Sequence, residues 1–488
     1  MQHVNIDWKP NKDSKIPLYR QIVEYITGKI SSGDWSIGQK LPPQREMAKQ
    51  FGVNRSTIVT AMDELLSYDL IESDFGKGTF IKSNTWSLLM SSPPDWEGYV
   101  DSGSFEENWD TVIVLNNLCS NPDYLDLGVG ELSPNFFPKE LHNDIAKTLN
   151  SKDQSLNYLA PLGLDELRLE ISKLLHKKGI DAGPGNILIT SGSLQALHLI
   201  SVGMLRRGDS IYAEAPGFLH SLQVFESNGV ELDPVPMDSE GMSTRSIKSK
   251  HRSVKTTPKL LYTIPNFQSP TSITMSEERR KDLFKFCQNE RLPIVEDDAF
   301  GELYYDSPPP ASLKSMDAGG MVLYLGTFST ILAPGLRVGW LVGPESVITR
   351  LADIKMQIDY GASSLSQTIA HTFLKNYDYQ LYMDRIRNGL RKRKDHIIRE
   401  LKKHLSGYAT WTEPKGGLHI WITLNKKPDM YKIFYEAVHN KLIIVPGYIY
   451  ERSMNYSIRL TYSYSDMKDI SLGVKKLAEI IKRHYYHD

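Results

Sequence analysis

Two sets of polar residues in this chain have the types and spacing for chemistry, and they suit different partners. Ser191-Gly192-Ser193 follows the apolar run Ile187 to Thr190 and precedes the apolar segment Leu194 to Met204. Free amides and serine hydroxyls at a helix start can hold a phosphate, although the same triplet is also a plain cap. Asp297 ends Pro-Ile-Val-Glu-Asp, where a strand-end carboxylate can pair with a protonated ring nitrogen. Phe218, in Glu214-Ala-Pro-Gly-Phe, is placed either to stack on a ring or to fill core. The second set is Asn54, Arg55, Ser56 and Thr57, with Arg45 upstream and Lys77 between Gly76 and Gly78. Residues at the start of a second helix reach base edges, and cations nearby meet phosphates or a groove. Singly, Asn54 is also a cap, Arg45 and Arg55 are also solvated charges, and Gly76 to Gly78 is also a turn. Their coincidence on one face points to DNA.

The elements that must position these residues are legible. Leu18, Ile22, Ile26 and Ile30 recur every four residues and predict one helix. A second is predicted over Gln44 to Phe51 with Met47, Ala48 and Phe51 inward, and a third from Asn54 to about Tyr68 with Ile58, Met62, Leu65 and Leu66 inward. Gly52 suits the left-handed end of the second helix, and Asn54 can cap the third. Leu70-Ile71-Glu72 and Thr79-Phe80-Ile81 around a glycine turn predict a hairpin. Three helices and a hairpin make a winged helix. From Lys82 to about Trp109 turn formers and acidic residues dominate, a candidate linker. Beyond it, apolar runs at Ile187 to Thr190, Ser210 to Ala213, Leu260 to Ile264, Pro293 to Glu296 and Val322 to Leu325 alternate with helical segments. That alternation predicts a mostly parallel sheet with ligands at the strand carboxyl ends.

Bulk properties narrow the classes. At 488 residues the chain exceeds one ordinary core, and length alone suggests about three domains. A net charge of −1 leaves no global basic field, so DNA contact must come from a local patch. The longest apolar runs are too short to cross a bilayer and the amino terminus lacks a secretory pattern, so a cytoplasmic protein without membrane contact is expected. Cys119 and Cys287 have no metal-ligand spacing and are expected as buried thiols. The 13 histidines form no paired arrangement, and no metal is assigned.

Residues 15 to 83 are similar to the winged-helix domain of the GntR family, through Pro17-Leu-Tyr-Arg-Gln-Ile, Gly38-Gln-Lys-Leu-Pro-Pro-Gln-Arg-Glu, Phe51-Gly-Val-Asn-Arg-Ser-Thr-Ile and Gly76-Lys-Gly-Thr-Phe. Pro43 stands where many members carry Ser, and suits a first helical turn. Tyr324-Leu-Gly-Thr-Phe-Ser-Thr-Ile-Leu-Ala-Pro-Gly-Leu-Arg-Val-Gly-Trp340 resembles the cofactor-lysine segment of fold type I aminotransferases, G-[ST]-F-S-K-x-x-x-P-G-x-R-x-G. With Asn157-Tyr158-Leu-Ala-Pro-Leu-Gly, Gly416-Gly-Leu-His-Ile and Ile458-Arg-Leu, the resemblance covers almost the whole chain. It is to the MocR subfamily of GntR regulators, a winged helix fused to an aminotransferase-like domain.

That resemblance implies an α/β fold: an N-terminal winged helix-turn-helix at 15–83, a linker at 84–109, and a fold type I aminotransferase-like effector domain at 110–488. The large part of that domain is expected at about 150–345 and the small part at about 346–488. It implies a homodimer, operator DNA as partner, and pyridoxal phosphate as cofactor. Ser329 and Arg337 would complete the phosphate cup, Tyr158 would touch the phosphate in the neighbouring subunit, and Arg459 would clamp a carboxylate or serve a structural salt bridge. The family lysine, however, is Thr330 here. The Asn of Asn-Pro-Thr-Gly is Ser269, and the Tyr of Asp-x-Ala-Tyr is Phe300. All three departures belong to the aldehyde and phenolate edge of the cofactor, whereas the positions kept belong to its phosphate, ring nitrogen and ring plane. A threonine hydroxyl forms no imine, so no catalytic residue is assigned and any cofactor would be held without a covalent bond. The expected function is a regulator that senses a small effector without catalysis. The alternatives are a regulator using imine chemistry with an amine effector, and an active aminotransferase.

Overall fold

The computed structural model describes residues 4–74, 77–83, 96–103, 105, 108–119, 121–138, 140–149, 157–253, 258–453 and 456–486. The chain divides into two compact units, Met1–Gly103 and Ser104–Asp488.

In the first unit α1 (Leu18–Ser31), α2 (Gln44–Phe51) and α3 (Arg55–Ser67) are followed by a hairpin of β1 (Ile71–Asp74) and β2 (Gly78–Ile81). Apolar spacing explains the packing. Ile22, Ile26 and Ile30 of α1 close on Met47 and Phe51 of α2 and on Ile58, Met62 and Leu65 of α3. Gly52 ends α2 at φ 68°, the left-handed conformation that a Cβ would disfavour. Three expectations need correction. Leu66 is 39% exposed, because Ala61 and Leu65 already complete the buried stripe of α3. Asn54 occupies the N-cap of α3 with extended backbone, but its side chain makes no capping bond. Pro43 is the N-cap of α2 rather than part of its first turn. Val4 and Trp8, before the predicted start at 15, join this core, with Trp8 stacked on Tyr25 at 4.9 Å.

In the second unit an eight-stranded sheet forms from β3 (Ile187–Thr190), β4 (Ser210–Ala215), β5 (Glu231–Asp238), β6 (Gly241–Met242), β7 (Leu260–Thr263), β8 (Ile294–Asp297), β9 (Val322–Thr327) and β10 (Gly339–Val342). The spatial order is β3-β10-β9-β8-β7-β4-β5-β6. The run from β9 to β5 is parallel, while β10 is antiparallel to both its neighbours and β6 is antiparallel to β5. Because β10 runs against both β3 and β9, those two point the same way. The carboxyl ends of β3, β4, β7, β8 and β9 therefore open on one side of the sheet, where such folds bind ligands. Each carries a residue flagged by sequence: Ser191, Phe218, Ser269, Asp297 and Ser329. A smaller antiparallel sheet, in the order Ala409–Trp411, His419–Leu424, Ser457–Thr461 and Val445–Pro446, supplies the opposite wall of a cleft. Cys287 is buried as expected, but Cys119 is only half-buried because it follows the short helix Asp110–Leu118 at the cleft edge. No helix among the described residues is long and apolar enough to cross a membrane.

Candidate functional site

The face of the first unit expected to read DNA is open. Arg45, Asn54, Arg55 and Ser56 are exposed and Thr57 is half-buried, all at or just before the start of α2 and α3. Neither Arg45 nor Arg55 has an ion pair among the described residues, so both guanidinium groups remain available for an anionic partner. Lys77, at the wing, is paired with Asp74 at 2.9 Å while remaining exposed. Gly76 lies outside the described residues. Lys40, which sequence reading passed over, lies 5.8 Å over the Phe80 ring and packs closely against Gly78, placing a further cation at the wing.

In the second unit a cleft of about 480 Å³ gathers Ser193, Phe218, Ser269, Asp297, Phe300, Ser329, Thr330, Arg337 and Arg459. At the end where a phosphate is expected, Arg337 donates from Nη1 to Ser329 Oγ at 3.3 Å and from Nη2 to the Ser191 carbonyl at 3.1 Å. Gly192 caps the helix Ser193–Met204 at φ 88°, and a Cβ there would stand 2.6 Å from Arg337 Nη2. Ser191 and Gly192 thus shape this end from behind without lining it. Tyr158 is not in this chain's own cleft. It is 82% exposed, with its ring 5.4 Å from Tyr360.

Asp297 lies at the cleft floor, 2% exposed, and Tyr262 donates to its Oδ2 at 2.9 Å. Its Oδ1 is buried with no hydrogen-bond partner. Burial pushes the carboxyl up to about 6, Tyr262 opposes the rise, Asp298 adds to it, and the Ala299 backbone N–H, close by but outside hydrogen-bond geometry to Oδ1, opposes it weakly. An unpartnered buried acceptor is costly, and a protonated ring nitrogen would satisfy it. Phe218 on the cleft wall completes a place for a ring.

The far edge differs. The Thr330 hydroxyl donates to the Ala299 carbonyl at 2.5 Å, and no lysine lines the cleft among the described residues. Ser269 is 2% exposed in a cis Ser269-Pro270 turn, and Phe300 brings a ring without a hydroxyl. Arg459 donates from Nη2 to the Gly128 carbonyl, and its Nε is buried without a partner. Sequence reading missed three groups here: His419, Glu131 and Tyr450, all of which line the cleft. They reach it from the small sheet and from loops with no periodic signal, although His419 lies within the segment Gly416-Gly-Leu-His-Ile. Burial, and then the charge of Asp126, hold the Glu131 carboxyl above its usual range, with Arg337 opposing.

A larger recess of about 770 Å³ lies elsewhere on this unit, lined by Lys178, Asp298 and Glu302 among others. Its inner charges neutralise one another, with Lys178 Nζ 3.2 Å from Asp298 and 2.9 Å from Glu302. Among the described residues no unpaired buried side-chain N or O atom lines that recess, and the cleft is the better candidate site.

The pyridoxal phosphate implied by this fold is thus matched at three points and unmatched at a fourth. Ser193 with Arg337 and Ser329 fits its phosphate, Asp297 Oδ1 its ring nitrogen, and Phe218 its ring plane; Thr330 offers no amine for its aldehyde.

The fold and cleft together define a class: a helix-turn-helix DNA-binding unit joined to an aminotransferase-type body. Residues 18–81 match the family of bacterial regulatory proteins, gntR family, and residues 118–477 match aminotransferase class I and II. The chain is 43% identical over 477 residues to YisV of Bacillus subtilis (strain 168), an uncharacterized HTH-type transcriptional regulator, covering 98% of each chain. The kynurenine aminotransferase of Pyrococcus horikoshii, solved with PMP, superimposes with a TM-score of 0.75 at 34% identity, over 80% of this chain and 98% of that one. LysN of Thermus thermophilus, an alpha-aminoadipate aminotransferase complexed with N-(5'-phosphopyridoxyl)-L-leucine, gives 0.73 at 28% identity, over 83% and 100%. The chain belongs to the gntR family of HTH-type transcriptional regulators, in the MocR architecture that fuses a winged helix to an aminotransferase domain.

Proposed function

We propose that this regulator holds a small vitamin-B6-phosphate effector in its aminotransferase-like cleft without covalent attachment and without aminotransfer. One observation carries the reading: the hydroxyl of Thr330, the residue that the resemblance sets at the cofactor-lysine position, is engaged by the Ala299 carbonyl, and no lysine lines the cleft among the described residues. The residues kept do three things. Arg337 and Ser329 bind a phosphate at a helix start, Asp297 pairs with a protonated ring nitrogen, and Arg459 orients a carboxylate. Pyridoxal phosphate, when bound, supplies an electron-withdrawing ring and an aldehyde, and this chain places no amine at the aldehyde. The PMP and phosphopyridoxyl-leucine held by the two structural relatives are ligands of the kind the cleft suits.

The operator contacts are assigned to Arg45, Asn54, Arg55, Ser56, Thr57, Gly76 and Lys77, in a cytoplasmic protein. A homodimer is assigned on the family and on exposed large hydrophobic residues of the second unit: Leu194 at 43%, Val202 at 39% and Tyr158 at 82%. Absorbance and borohydride trapping test the reading. Protein mixed with pyridoxal phosphate is expected to show no visible-range imine band and no reduced adduct by peptide mapping. Thr330→Lys alone is expected to restore only a weak adduct, because Ser269 and Phe300 still leave the ring oxygen poorly held. A reduced adduct on another lysine of the wild type would replace this reading with covalent effector chemistry.

A further inference from the structure

The cleft wall across from the phosphate end carries a histidine to which no role has been assigned. His419 opens the strand His419–Leu424, is 2% exposed, and lines the cleft beside Phe300 and Arg459. Its ring stands edge-on to Phe300, with centroids 5.6 Å apart and planes at 80°. It therefore lies among the residues that depart from the aminotransferase pattern.

The tautomer of His419 is assigned through Thr461, on the neighbouring strand. The Thr461 hydroxyl is 3.4 Å from the Gly128 carbonyl, which can only accept, and the hydroxyl is assigned as a donor to it alongside Arg459. Its oxygen is then left to accept from His419 Nδ1, 3.3 Å away. With the proton on Nδ1, Nε2 carries a lone pair and no hydrogen. Burial, and then the charge of Arg459, hold the imidazole far below its usual range, so it stays neutral. No described residue donates to Nε2.

Gly130 shows where that lone pair is available. A methyl group placed on Gly130 would sit 3.1 Å from His419 Cε1, 3.8 Å from Nε2 and 4.0 Å from Arg459 Nη1. One point on the cleft wall thus lies near both a neutral acceptor and a guanidinium, and the missing side chain leaves it open. A carboxylate at Arg459 would bring its neighbouring atoms to this point.

We propose that His419 is a specificity-determining residue: Nε2 accepts a hydrogen bond from an O–H or N–H group near the effector's carboxylate, selecting amino-acid adducts with a donor in the side chain. The inference rests on the reading of the cleft as a B6-phosphate site with its carboxylate end at Arg459.

Calorimetry on the full chain with N-(5'-phosphopyridoxyl)-L-serine and N-(5'-phosphopyridoxyl)-L-alanine tests it. The wild type is expected to bind the serine adduct about tenfold more tightly, as one net hydrogen bond allows. His419→Phe is expected to erase that preference and His419→Gln to keep part of it, since an amide oxygen also accepts. Gly130→Ala, which sets a methyl against the same ring edge, is expected to cost the serine adduct more than the alanine adduct. Operator affinity and melting temperature report whether each variant folds. Equal binding of both adducts by the wild type, or a preference surviving in folded His419→Phe, overturns the role of His419 alone. Failure of both adducts to bind wild type that still binds its operator overturns the reading of the cleft, and this inference with it.

Discussion

Asp297 sets the polarity of the cleft at some cost to the fold. Its folded-state pKa of about 6 lies above the ordinary 3.8. Between those values the folded chain holds a proton that the unfolded chain has lost. The sign follows from linkage: this group's contribution to stability falls as pH rises from about 4 through about 6, and is least favourable above that. A displacement of about two units corresponds to roughly 2–3 kcal/mol. Asp297→Asn keeps the shape and an acceptor for Tyr262 but carries no charge. It is expected to stabilise the effector unit by that order at pH 8, with the gain vanishing near pH 4, when urea unfolding is followed at both. The same variant is expected to lose affinity for pyridoxamine phosphate, because a neutral amide forms no ion pair with a protonated ring. Unchanged stability at pH 8 would mean that the carboxylate is satisfied in the ligand-free protein.

The elements around the two sites were legible to different degrees, for physical reasons. Helix periodicity at Ile22, Ile26 and Ile30 and the left-handed Gly52 made the winged helix readable, since its core is built from local spacing. The strands ending at Thr190, Asp297 and Thr327 were readable as short apolar runs. Strand Gly339–Val342 was not, because its antiparallel pairing on both sides is a non-local property. Cleft residues on strand ends were therefore found, while His419 and Glu131 were not. At the helix Ser193–Met204, Gly192→Ala would combine a φ of 88° with a Cβ 2.6 Å from Arg337 Nη2. The guanidinium must then leave the cup, and pyridoxamine phosphate affinity is expected to fall at least tenfold by calorimetry while operator binding persists. At α3, Arg55→Ala is expected to cost on the order of 1–3 kcal/mol at the operator and to relax sequence preference. Lys77→Ala should instead weaken binding across sequences and flatten the salt dependence, since a wing cation meets phosphates. Full operator affinity in both variants, titrated at fixed salt, would move the interface elsewhere.

At the scale of the whole molecule, the chain has an aminotransferase-type body. On the proposed reading the phosphate cup and Asp297 remain, and the departures at Thr330, Ser269 and Phe300 all fall where covalent chemistry would take place. Such a body can still report ligand through stability. A ligand that binds only the folded state adds RT ln(1 + [L]/Kd), about 2.7 kcal/mol at a hundredfold excess over Kd. Because Met1–Gly103 and Ser104–Asp488 have separate cores, two thermal transitions are expected. Pyridoxamine phosphate should raise the transition of the larger unit with the logarithm of its concentration. Arg337→Ala should abolish that shift by removing the charge that closes the cup, whereas Thr330→Ala should scarcely alter it, because the Thr330 hydroxyl already serves the Ala299 carbonyl. Scanning calorimetry at several ligand concentrations measures both. A shift that survives Arg337→Ala would place the phosphate outside the cleft, and no shift with any B6 phosphate would leave the cup a relic beside an unrelated effector.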